Sequence, residues 1–134
     1  YLYDFWNDCF TGRLKGSGTL RQKLRGSEAR MLSVHKVQDV PQFISTDRHV
    51  MQGYLDLAEK PKWQKELGVL EGVSTVVAND SYELVLACNG RIPVSVQVSE
   101  GEADLGWKDQ QEGIAVLTLK TAENADVRWK VRFE

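Results

Sequence analysis

The last eight residues, Val127-Arg128-Trp129-Lys130-Val131-Arg132-Phe133-Glu134, carry an apolar side chain at every odd position and a charge at every even one. A period of two marks a strand with one face buried and one in water. Tyr82, Leu84, Leu86 and Cys88 alternate with Ser81, Glu83, Val85 and Ala87, which predicts a strand covered on both sides. Val94, Val96 and Val98 alternate with Ser95 and Gln97 and predict another. Asn89-Gly90 lies between these two runs. Both residues tolerate a positive φ, so the pair predicts a hairpin, with Arg91, Ile92 and Pro93 completing the connection.

The same reading extends along the chain. Ile114 to Lys120 is a β-rich run, and Thr121 to Asp126 is its polar turn into the last strand. Val69 to Ala78 is rich in β-branched residues, broken by Gly72 and turned by Asn79-Asp80. Leu14 to Leu24 is interrupted by Gly16-Ser17-Gly18, a second hairpin signal, and Ala29 to Val37 reads as a strand. Tyr1 to Trp6 and Cys9 to Leu14 flank Asn7-Asp8, a third turn. No stretch sustains a 3.6-residue period. The best helical candidate, Leu55 to Leu67, has Pro61 inside it. From Val40 to Gly53 polar and apolar residues mix without alternation, and we read a long ordered loop crossing between sheets. Strand-like runs every 8 to 12 residues predict an all-β fold, an antiparallel β-sandwich of Greek-key type in one domain over residues 1–134.

Composition sharpens this in a few places. The 134 residues include 17 Lys plus Arg against 19 Asp plus Glu, a balance that offers no general attraction for nucleic acid or an anionic membrane. No apolar run approaches the roughly 20 residues that span a bilayer as a helix. A (β/α)8 barrel, at about 200 residues or more, does not fit. The chain opens on Tyr1, already in strand-like sequence, and is expected to be either processed or cut from something longer. Cys9 and Cys88 read as two small buried thiols on strands, or as one bridge closing a long loop.

Motifs that carry chemistry are sparse. There is no Gly-x-Ser-x-Gly, no phosphate-binding loop, no His-Glu-x-x-His and no Cys-x-x-Cys. His35 and His49 are too few and too far apart for a metal site evident in sequence, so no metal or cofactor is expected. Glu100, Glu102 and Asp104 read as solvated turn carboxylates rather than calcium ligands. Asp47-Arg48-His49 reads as a polar turn, with Asp47 capping backbone N–H groups and Arg48 on a carboxylate, or else as an acid/base pair of Asp47 and His49. Of four Trp residues, Trp6 and Trp129 read as core. Trp63 and Trp107 sit in polar surroundings and are candidates for stacking on a sugar, against packing over a loop.

Several segments together resemble a known family. Tyr3-Asp4-Phe5-Trp6 followed by Phe10-Thr11-Gly12, and Gly26-Ser27-Glu28-Ala29-Arg30-Met31-Leu32-Ser33-Val34, look like the opening strands of the C-terminal β-sandwich of α-galactosidase-like (melibiase clan) glycoside hydrolases. Pro41-Gln42-Phe43-Ile44-Ser45-Thr46-Asp47-Arg48-His49-Val50-Met51-Gln52-Gly53 is similar to the crossing segment of a bacterial branch, which reads close to Pro-Gln-Leu-Leu-Ser-Thr-Asp-Arg-His-Ile-Thr-Gln-Gly. Leu70 to Ser74 is similar to the strand after it. The match covers about residues 1 to 75.

The resemblance implies a non-catalytic accessory domain that packs against a catalytic (β/α)8 barrel in the same polypeptide. Family catalytic carboxylates sit on the barrel, so none is carried onto this chain. Asp47, Arg48, His49 and Gln52 would then lie at the barrel interface or in a loop near its active site. The parent would be a bacterial glycan-degrading enzyme, periplasmic or secreted. Two readings compete: a carbohydrate-binding module stacking sugars on Trp63 or Trp107, and a small stand-alone enzyme using Asp47 and His49.

Overall fold

The computed structural model describes residues 1–48 and 56–134. Among these the chain forms eleven β-strands in three antiparallel sheets, an all-β fold of sandwich type. The small sheet has the order β2-β1-β3, from β1 (Leu2–Asp4), β2 (Cys9–Gly12) and β3 (Leu32–Val34). The middle sheet has the order β4-β7-β10-β9, where β4 is Gln42–Thr46, β7 Tyr82–Ala87, β9 Glu102–Asp109 and β10 Ile114–Lys120. The outer sheet has the order β5-β6-β11-β8, with β5 Leu57–Gln64, β6 Val69–Val76, β8 Pro93–Val98 and β11 Ala125–Phe133.

The main core lies between the middle and outer sheets. Leu84, Leu86, Leu117 and Leu119 face Leu70, Val127, Trp129 and Val131, and all eight are buried. The odd positions of β11 point inward and its Arg and Lys residues face water, as its alternation predicts. The reverse face of the middle sheet is covered too. Val85, Ala87, Ile114 and Ile44 pack under Tyr1 and Tyr3 of the small sheet. That second layer is why β7 is buried on both faces and reads as an almost continuous apolar run.

Several expectations need correction. Asn89 and Gly90 do adopt positive φ (52° and 82°), and Arg91 N donates to Cys88 O at 3.2 Å, so the tight turn exists. It does not make a hairpin. β7 pairs with β4 and β10, β8 pairs with β11, and the turn carries the chain from the middle sheet to the outer one. The Gly16-Ser17-Gly18 turn also joins no strands. Leu14, Leu20 and Leu24 never alternate, and residues 13–31 form an irregular excursion pinned by Arg30 on Glu28 and Asp4. Of the run Ala29 to Val37 only Leu32–Val34 is strand. The Asn7-Asp8 turn, by contrast, closes a true β1–β2 hairpin.

The described part of the helical candidate Leu55 to Leu67 contains an edge strand, β5, followed by a turn. Pro61 sits on the strand where the register with β6 shifts between Glu59 and Lys62, a place where a missing N–H breaks no ladder bond. Gly72 does not interrupt β6 but pairs directly with Trp129. The supposed loop from Val40 to Gly53 contains β4. Its alternation fails because both faces are covered: Phe43 packs on the main core, Ile44 on the second layer, and Gln42, Ser45 and Thr46 are buried as well. Gln42 is accommodated by hydrogen bonds, its amide donating to Lys36 O at 3.0 Å and its carbonyl accepting from Gln38 N at 2.8 Å. Residues 49–53 of that stretch lie outside the described residues.

Candidate functional site

The Asp47-Arg48 pair follows β4 at the edge of the middle sheet. Asp47 N donates to Glu83 O at 3.2 Å, and Glu83 N donates back to Asp47 Oδ1 at 2.8 Å. Asp47 therefore prolongs the β4–β7 ladder with its own side chain, the capping role its residue type favours. Burial and the neighbouring Glu83 raise its pKa despite the opposing Glu83 N–H and Arg48. Arg48 Nη1 pairs with Asp80 at 2.9 Å, and its guanidinium stands 5.4 Å over the Tyr82 ring. Both groups are engaged within the fold. His49 and Gln52 lie outside the described residues.

The four Trp residues separate clearly. Trp129 is fully buried, and its Nε1 donates to Ser74 Oγ at 2.9 Å. Trp6, expected in the core, is 48% exposed, because the chain turns at Trp6-Asn7-Asp8 and throws the indole outward. Trp63 packs against the main core, edge-on to Phe133 with centroids 5.9 Å apart, while Arg91 sits 5.3 Å over its ring. It lines a cleft of about 450 Å³ between the β4 and β5 edges, with His35, Phe43 and Lys60. Its indole N–H is buried without a partner among the described residues. Trp107 ends the inward-facing row of β9 and is 38% exposed at the rim of an open groove of about 500 Å³.

One cluster escaped sequence reasoning. Lys108 Nζ binds Asp8 and, at 3.0 Å, Glu83, while the buried Tyr3 hydroxyl donates to Asp8 Oδ1 at 2.6 Å. Burial opposes the Lys108 charge, but the two carboxylates outweigh it and raise its pKa. Burial and Asp8 together hold the Tyr3 phenol far above its ordinary range, so it stays a neutral donor. The cluster ties the β1–β2 hairpin to the middle sheet. Residues 8 and 108 share no local pattern, so no sequence signal could have joined them.

Glu100, Glu102 and Asp104 are exposed, and no group of three or more His, Cys, Asp or Glu that could hold a metal occurs among the described residues. The two cysteines are free and unlike each other. Cys88 is buried, and burial pushes its thiol up to about 11, whereas Cys9 is exposed on β2 rather than buried. In the native protein an aromatic disulfide reagent at pH 8 is expected to titrate Cys9 alone, with Cys88 reacting only on unfolding. Two fast thiols in a native titration would contradict this placement.

The first 37 residues expose an unusual set of apolar side chains. Trp6, Leu14, Leu24, Met31, Val34 and Val37 lie there, with Val34 at 70%. An open groove of about 340 Å³ runs between β3 and β4 in the same region, lined by Phe5, Met31, Val34 and Phe43. No family description, curated protein or solved structure matches the chain.

Proposed function

We propose that the chain is a non-catalytic accessory β-sandwich domain of an α-galactosidase-like glycoside hydrolase, packing against a catalytic (β/α)8 barrel of the same polypeptide. The observation that carries this reading is the concentration of exposed large apolar side chains within residues 1–37. The middle and outer sheets bury their own core, yet residues 1–37 leave six large apolar side chains in water. Scattered exposed apolar residues are ordinary, but Met31 and Val34 line one open groove with Phe5, and a contiguous apolar surface of that kind is where protein meets protein. The segments resembling the family, Tyr3 to Gly12 and Gly26 to Val34, lie within the same residues 1–37.

Hydroxyl-radical footprinting tests it. Trp6 and Met31 are both exposed and both oxidise readily. In the chain alone they are expected to label fast; in the parent polypeptide, with its barrel, several-fold more slowly. The chain alone is expected to leave an aryl α-galactoside intact. Equal labelling in both forms, a parent without a barrel, or turnover by the purified chain would each overturn the assignment.

A further inference from the structure

The groove at Trp107 has the chemistry of a sugar site. Trp129 is enclosed, and Trp63 has Arg91 on its face and Phe133 at its edge. Trp107 has neither an aromatic nor a cationic partner among the described residues, so its ring is unoccupied. Beside it the β9–β10 turn presents Gln110 and Gln111, whose side-chain amides make no hydrogen bond within the described residues. An amide offers a donor and an acceptor from one group, which is what a sugar hydroxyl requires.

Gly90 and Gly113 line the groove at φ of 82° and 68°, and a Cβ built on either would meet no atom within 4 Å. The charged residues that line the groove have contacts of their own. Arg13 donates to the Glu112 carbonyl at 2.6 Å, lies 3.8 Å from its carboxylate, and stands over the Tyr1 ring, while Arg91 lies over Trp63. A pyranose has an apolar C–H face and a rim of hydroxyls, and about 500 Å³ is within the usual range for a small-ligand cleft.

We infer that this groove binds a neutral pyranoside, its C–H face on the Trp107 indole and its hydroxyls on the amides of Gln110 and Gln111. The inference does not need the barrel. It goes beyond the accessory role, and its failure would leave the footprinting result untouched.

The test is a titration of the 134-residue chain followed through its indole N–H resonances. The probes are methyl α-galactoside, methyl α-glucoside, methyl β-xyloside and the matching linear trisaccharides. At least one is expected to shift the Trp107 signal saturably at millimolar concentration and leave Trp129 in place. Trp107→Ala is expected to weaken binding about tenfold or more. Trp107→Phe, with a smaller ring, should lose only part of the affinity. The double variant Gln110→Ala/Gln111→Ala sits on an exposed turn, keeps the fold intact and should lose affinity several-fold. Trp6→Ala should bind as the parent chain does. No saturable shift with any probe, binding unchanged in Trp107→Ala, or a groove that responds to an apolar peptide and to no glycoside would overturn the proposal.

Discussion

Trp129→Ala is expected to cost roughly 3–5 kcal/mol, because it empties the largest fully buried side chain from the main core. A single domain holds only about 5–15 kcal/mol in total, so the variant should sit near the edge of folding at 25 °C. The loss has two parts. The indole fills the space between the sheets, and its N–H satisfies Ser74 Oγ, which is itself fully buried. The ring also has a shaped seat. A Cβ on Gly72 would stand 2.7 Å from Trp129 Cζ2, 3.1 Å from Cε2 and 3.3 Å from Pro61 Cγ. Gly72→Ala in the native background is therefore expected to cost about 1–3 kcal/mol through overpacking. In the Trp129→Ala background the same change should be neutral or stabilising, since the clash with the indole is gone, only the milder approach to Pro61 Cγ remains, and alanine loses less backbone freedom than glycine. Chemical denaturation of the four proteins closes the cycle. Additive costs would mean that the indole does not press on Gly72.

This pair also shows what the sequence makes legible. The β11 alternation located a half-buried strand and assigned Trp129 to its inner face. Gly72 looked like a break in β6 because a glycine in a strand has no visible purpose until its cross-strand partner is known. The all-β class followed from local patterns and turn residues. Strand partners did not. Asn89-Gly90 specifies a tight turn, but a turn fixes direction only over a few residues, and here the next strand leaves for the other sheet. β4 was invisible for a different reason. Alternation reports a contrast between wet and dry faces, and a strand buried on both sides has no such contrast.

The candidate site was legible to a lesser degree. Asp47 and Arg48 behave as the polar-turn reading described, because capping and pairing are properties of the residue types and their immediate neighbours. Neighbourhood polarity was a poor guide to the aromatics. Pro-Lys-Trp-Gln-Lys around Trp63 leaves stacking on a sugar and packing both open, and β5 turns that indole inward under Arg91. Phe5-Trp6 predicts a buried ring, yet the hairpin turn directs it outward. Exposure depends on which face the element offers, and that is a tertiary property.

Tyr3→Ala is expected to separate the small sheet from the rest. Tyr3 is fully buried at the centre of the second layer, packed with Ile44, Val85, Ala87 and Ile114, and its hydroxyl joins the Asp8-Lys108-Glu83 cluster. Truncation should cost roughly 3 kcal/mol or more in that layer. Among the described residues the main core is a cluster separate from this one, so the damage should stay local. Hydrogen exchange is expected to accelerate at amides within residues 1–37 while those of β6, β10 and β11 keep their protection. Tyr3→Phe keeps the ring and removes only the bond to Asp8, so it should cost about 1 kcal/mol and leave the pattern unchanged. A single loss of protection across all three sheets would mean instead that they fold as one unit. The expected split bears on the proposed docking role. The layer that would meet a barrel is held to the sandwich by the Tyr1 and Tyr3 rings, the Lys108 cluster, and hydrogen bonds from Arg13 to Glu112, Tyr1 to Asn89 and Ser33 to Ile44. A barrel that covers Trp6, Met31 and Val34 should therefore stabilise the small sheet far more than the sheets behind it, and Tyr3→Ala should recover much of its lost protection in the parent polypeptide.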